Sequence, residues 1–165
     1  MKEKQIQILV RARPFLLELK PALHTFTYQT PHLMNLNSFM KVYAEQIGGQ
    51  YAEYDPEHSI VIVPVSGGRF QTVIGTIRYN ELYNRRLITF NSKICSLKPT
   101  IDYQALLEQT AFFNYCRFVA TENYLQIEAV TALDTIDEST VKEMLQEVAN
   151  LADQFELKLT GADIH

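Results

Sequence analysis

The sequence predicts an α+β fold: an antiparallel sheet with helices packed on it. Three observations lead there. Two segments, one after residue 35 and one near the C-terminus, carry apolar stripes at helical spacing. Between them lie β-branched runs separated by turn residues. A late hairpin alternates apolar and polar residues, so one sheet face is wet.

The first helix runs from Leu36 to Ile47, where Leu36, Phe39, Met40, Tyr43 and Ile47 form one stripe. Asn35 or Asn37 can cap its first N–H groups, and Gly48-Gly49 supplies a left-handed stop. A short extended run, Gln50 to Tyr54, leads into the turn residues Asp55-Pro56-Glu57-His58. Ile60-Val61-Ile62-Val63 is β-branched throughout, and Pro64 marks a strand end or an edge. Ser66-Gly67-Gly68 turns the chain into a strand over Phe70 to Tyr79. A further strand runs from Arg86 to Leu97, with Ile88, Phe90 and Ile94 opposite Thr89, Asn91 and Lys93.

Pro99-Thr100 breaks the sheet. From Asp102 to Asn114, Tyr103, Leu106, Leu107 and Thr110 share a helical face completed by Phe113. Tyr115 to Thr121 reads as a strand, Glu122-Asn123 as a turn and Tyr124 to Leu133 as the hairpin partner. Thr135 and Glu138 have capping-box spacing. Val141, Met144, Leu145, Val148, Leu151, Ala152 and Phe155 then form the longest stripe, closed by Gly161. In residues 1–34 two periods compete. Ile6, Ile8 and Val10 alternate like a strand, whereas Ala12, Phe15, Leu16, Leu19 and Leu23 suit a helix that Pro21 cuts short. This N-terminal extension is expected to be helical or mixed and, being too apolar for a solvated tail, to pack on the domain of residues 35–165.

The 165 residues, 47% hydrophobic and 21% charged, suit one globular domain with a core of its own. No apolar run reaches the length of a membrane span. Arg11 and Arg13 interrupt the only apolar stretch near the N-terminus, which argues against a secretory signal and for a cytoplasmic protein with no membrane partner. Net charge is −4, with lysines and arginines scattered along the chain, which argues against a nucleic-acid partner. Cys95 and Cys116 stand outside any CxxC and are expected to be reduced, half-buried thiols.

The order α-β-β-β-α-β-β-α over Leu36 to Leu159 resembles the YbjN-type domain family, whose fold is that of the class I type III secretion chaperones. The carrying stretches are Leu36–Gly49 leading into Tyr51–Val65, the block Phe112-Phe113-Asn114-Tyr115-Cys116-Arg117-Phe118, Tyr124–Asp134 and Val141–Phe155. The resemblance covers about three-quarters of the chain and rests on order and spacing; residues 1–34 are an addition to the minimal domain. It implies a bacterial cytosolic protein, often a homodimer, acting through protein–protein contact. Relatives' dimers pair through the sheet or the second helix, which points to Asp102–Asn114 and Tyr115–Thr121. The family brings no catalytic residues to carry over.

No residue pattern marks a catalytic, cofactor or metal site. Ser66-Gly67-Gly68 precedes a strand, whereas a phosphate cradle opens a helix. His24, His32, His58 and His165 have no ligand spacing. Asp134, Asp137 and Glu138 read as helix-capping carboxylates. Glu143, Glu147, Asp153 and Glu156 mark the outer face of the last helix as acidic, either solvated or a dock for a basic partner. Seven tyrosines (Tyr51, Tyr54, Tyr79, Tyr83, Tyr103, Tyr115 and Tyr124) suit half-buried strand positions and interfaces equally. The expected function is a non-enzymatic interaction module, chaperone-like or regulatory. The alternative is a small-molecule- or metal-binding regulator, with Arg13, His24 and His32 anchoring a pocket between sheet and extension.

Overall fold

A computed structural model describes residues 34–161. The extension, with its competing strand and helix readings, lies outside those residues apart from Met34, as do His24, His32 and His165. The alternative pocket between sheet and extension therefore lies outside them too.

Helix α1 spans Leu36–Ile47 and buries Leu36, Phe39, Met40, Tyr43 and Ala44. Of the two candidate caps, Asn35 is the one: its Oδ1 accepts the Ser38 N–H at 2.9 Å. Asn37 instead donates to the Asp55 carbonyl at 3.1 Å and accepts from the Ser59 hydroxyl, tying α1 to the sheet. Gly48, at φ 68°, ends the helix.

Six strands follow: β1 (Gln50–Asp55), β2 (His58–Pro64), β3 (Phe70–Asn80), β4 (Arg85–Ser96), β5 (Cys116–Thr121) and β6 (Tyr124–Ala132). They make one fully antiparallel sheet in the order β1-β2-β3-β4-β6-β5. The class and element order are as the sequence predicts, with Gln50–Asp55 counting as a fourth strand before the second helix. Alternation sends Val61, Val63, Val73, Ile77, Ile88, Phe90, Leu125, Ile127 and Ala129 to one face, where all are buried. Helix α1 packs there on β1–β3, and α3 (Glu138–Thr160) on β3–β6. No described helix packs on the opposite face.

The ladder between β3 and β4 runs only from Asn80↔Arg85 to Ile74↔Asn91. Beyond it side chains take over. Buried Gln71 donates to Ser92 Oγ at 2.8 Å and to the Lys93 carbonyl at 3.1 Å, while Ser92 donates to the Thr72 carbonyl at 2.7 Å. A bulge between Lys93 and Cys95 on the β6 side then turns Cys95 inward.

Two boundaries differ from the sequence reading. Helix α2 covers only Tyr103–Gln109 and is followed by a 3₁₀ turn at Thr110–Phe112 and extended backbone at Phe113. Under two turns long, it buries Leu106 alone and leaves Leu107, expected on the apolar face, 65% exposed. Helix α3 begins at Glu138 because Asp137, not Thr135, caps it. The Asp137 carboxylate accepts the Thr140 N–H at 2.9 Å and the Thr140 hydroxyl at 2.8 Å. A charged acceptor at the positive helix end outcompetes a hydroxyl two residues earlier. No helix among the described residues is long and apolar enough to cross a membrane.

Candidate functional site

The sheet order leaves β1 and β5 at the edges. Strand β1 is irregular: its register shifts between Glu53 and Asp55, and it is mostly exposed. Strand β5 pairs in unbroken register with β6 on one side, and its other side faces no described strand. Such an edge presents backbone donors and acceptors in a row, a template for another strand.

The segment leading into β5 is held rigidly. Phe113, Phe118 and Phe155 form a three-ring cluster with centroids 4.8–6.1 Å apart, joining the turn, β5 and α3. Glu147 on α3 accepts the backbone N–H groups of Asn114 and Tyr115, each at 2.8 Å. The Tyr115 hydroxyl donates to Glu143 at 2.8 Å, and that bond holds the phenol pKa above its ordinary value. Behind this anchor Cys116 is buried, and burial first, then the nearby Glu147 carboxylate, pushes its thiol far up. On the outer side Leu107 is 65% and Phe112 85% exposed. The Tyr103 hydroxyl bridges the N–H and carbonyl of Lys98, both at 3.0 Å, fixing the start of α2. The α2–β5 corner is thus a stiff frame carrying two exposed apolar side chains beside a strand edge that no described strand pairs.

The acidic stripe on α3 is a correction to the sequence reading. Glu143 and Glu147 hold the β5 entrance. Asp153 takes Arg69 in an ion pair at 2.7 Å, and Glu156 is 1% exposed. Asp153 and Glu156 are buried and Glu147 is half-buried against the β5 entrance, so these three are not a solvated face, whereas Glu143 stays exposed while it accepts the Tyr115 hydroxyl. Their contacts join residues 28–84 apart in sequence, which helical periodicity cannot reveal.

Ser66-Gly67-Gly68 is a turn that opens β3. His58 lies 2.8 Å from the Asp55 carboxylate in the β1–β2 turn, an arrangement that lowers the Asp55 pKa chiefly through that hydrogen bond. Among the described residues no three His, Cys, Asp or Glu side chains gather in a way that could hold a metal. Cys95 and Cys116 are free thiols, and both are buried rather than half-buried. Among the described tyrosines, Tyr54, Tyr79 and Tyr83 stand well out into solvent, and only Tyr43, outside the set noted in the sequence, is buried. Neither family models nor curated proteins match this chain.

Proposed function

We propose that this protein is a non-enzymatic interaction module, chaperone-like or regulatory, acting as a homodimer whose subunits meet at the β5 edge and the α2 corner. The observation that carries this reading is the pair Leu107 and Phe112, solvent-exposed on a rigid corner beside the outer edge of β5, which no described strand pairs. Exposed apolar side chains on rigid supports cost little entropy when a partner covers them. A strand edge adds backbone hydrogen bonds to the contact. The resemblance to YbjN-type proteins supports a bacterial, cytosolic setting and pairing through these same segments.

Sedimentation velocity at tens of micromolar tests it. The parent chain is expected to run as a dimer, and a Leu107→Ser/Phe112→Ser variant as a folded monomer. A parent that runs as a clean monomer removes the dimer. A dimer that survives both substitutions moves the interface elsewhere.

A further inference from the structure

Arg78, Arg85 and Arg117 are scattered in sequence, but the fold gathers them. They line, with Tyr83, a cleft of about 420 Å³ on the sheet face opposite the helices. The register accounts for this. Arg78 lies across from Leu87, Leu87 from Ala132, and Asn80 from Arg85. Alternation sends these residues, with Val130 and Arg117, to one side. Leu87, Val130 and Ala132 give the cleft an apolar floor.

Its electrostatics are unbalanced. Arg117 donates to Glu128 through Nη2 at 2.6 Å and through Nε at 3.1 Å. Arg78 and Arg85 have no carboxylate within ion-pair distance among the described residues. Three guanidinium groups against one carboxylate leave two positive charges, in a chain whose net charge is −4. Like charges held together raise the free energy of the empty cleft, and an anion relieves that repulsion.

We propose that this cleft binds the phosphate monoester of a small molecule with a planar apolar body. A phosphate monoester carries close to two negative charges at neutral pH, matching the surplus, whereas a carboxylate carries one. Guanidinium forks meet phosphate oxygens through paired N–H···O bonds. The Tyr83 ring and the Leu87–Val130–Ala132 floor receive the apolar body, and the volume falls within the roughly 300–1,000 Å³ of small-molecule pockets.

Titration of the full isotope-labelled chain with phenyl phosphate, followed by NMR, tests the assignment. Saturable shifts are expected at the Nε–H groups of Arg78, Arg85 and Arg117 and at the amides of Tyr83 and Val130. Phenol should produce none of them. An Arg78→Gln/Arg85→Gln variant, changed only at exposed positions, should fold normally and lose at least tenfold in affinity. No saturable shift at low-millimolar phenyl phosphate, or unchanged affinity in the variant, overturns the proposal. Binding of a phosphopeptide without binding of phenyl phosphate overturns the small-molecule assignment.

Discussion

Arg69 and Asp153 form a two-pronged ion pair, Nε to Oδ1 and Nη2 to Oδ2, both at 2.7 Å. The pair joins the turn before β3 to the middle of α3, with the Asp153 side chain 7% and the Arg69 side chain 27% exposed. The carboxylate is therefore the member that cannot be left alone. Arg69→Ala should destabilise the fold by about 2–4 kcal/mol, because it strands a buried charge. Arg69→Met with Asp153→Leu should recover much of that loss. Urea denaturation of the three variants decides it. A single Arg69→Ala variant as stable as the parent would mean that the pair contributes nothing.

Leu145 is fully buried in the middle of the α3 stripe. Leu145→Ala removes apolar contact and leaves a cavity that the α3–sheet interface cannot collapse into, at a cost of about 2–5 kcal/mol. That is a large share of the roughly 5–15 kcal/mol available to a domain of this size. Chemical denaturation should show a lower midpoint with an unchanged slope. A loss below about 1 kcal/mol would place Leu145 outside a packed core.

The stripes that predicted α1 and α3 were legible because each helix buries one continuous face, so period and burial coincide. The strands were legible for the same reason, through Ile88, Phe90 and Leu125, Ile127, Ala129. What stayed hidden depends on contacts between distant segments. Gln71 and Ser92 are polar yet sit on the buried side, since they replace missing ladder bonds between splayed strands. Glu147 looked like a solvated helix residue until the β5 entrance was placed against it. Arg78, Arg85 and Arg117 looked scattered because β6 inserts between β4 and β5 and carries Arg117 to the cleft.

The two thiols should be inert in the native protein. Both are buried, and burial raises both above the ordinary thiol pKa. A folded-state pKa above the unfolded value stabilises the fold below the unfolded pKa, and this contribution fades as pH rises past about 8.5. Ellman's reagent should react slowly with native protein and label both cysteines quickly in urea. Cys116→Ala should flatten the alkaline loss of stability. Fast native labelling of Cys116 would contradict its burial.

The acid limb has the opposite sign. The hydrogen bonds of Ser139 and Thr140 hold Asp137 well below its usual pKa, and the hydrogen bond to His58 lowers that of Asp55. Carboxylates lowered in the folded state stabilise it fully above their unfolded pKa of about 3.9. That contribution is lost as pH falls through the lower folded values. Asp137→Asn keeps a capping side chain but has no proton to gain. Its stability should therefore fall less steeply between pH 5 and the acid limit than that of the parent, by thermal denaturation across the series. Parallel curves would remove Asp137 from the acid response.

Gly48 and Gly49 are adjacent, and each must be glycine for a different reason. Gly48 ends α1 at φ 68°, and a Cβ there would meet nothing within 4 Å. Its constraint is conformational, so Gly48→Ala should cost about 1–2 kcal/mol, the penalty of a left-handed backbone for a residue with a Cβ. Gly49 has no positive φ, but a Cβ there would lie 2.4 Å from the Ile62 carbonyl oxygen. The next residue, Gln50, pairs with that same Ile62, so the oxygen is fixed by the β1–β2 ladder and cannot retreat as a side chain would. Gly49→Ala must push β1 off β2 or shift the end of α1, and should cost more than about 3 kcal/mol. Denaturation of both variants separates the two mechanisms. An Asn at position 48 should recover part of the first loss, since Asn tolerates the left-handed region, and no residue with a Cβ should recover the second. If Gly49→Ala proves the milder substitution, the approach of α1 to β2 is looser than the 2.4 Å contact requires.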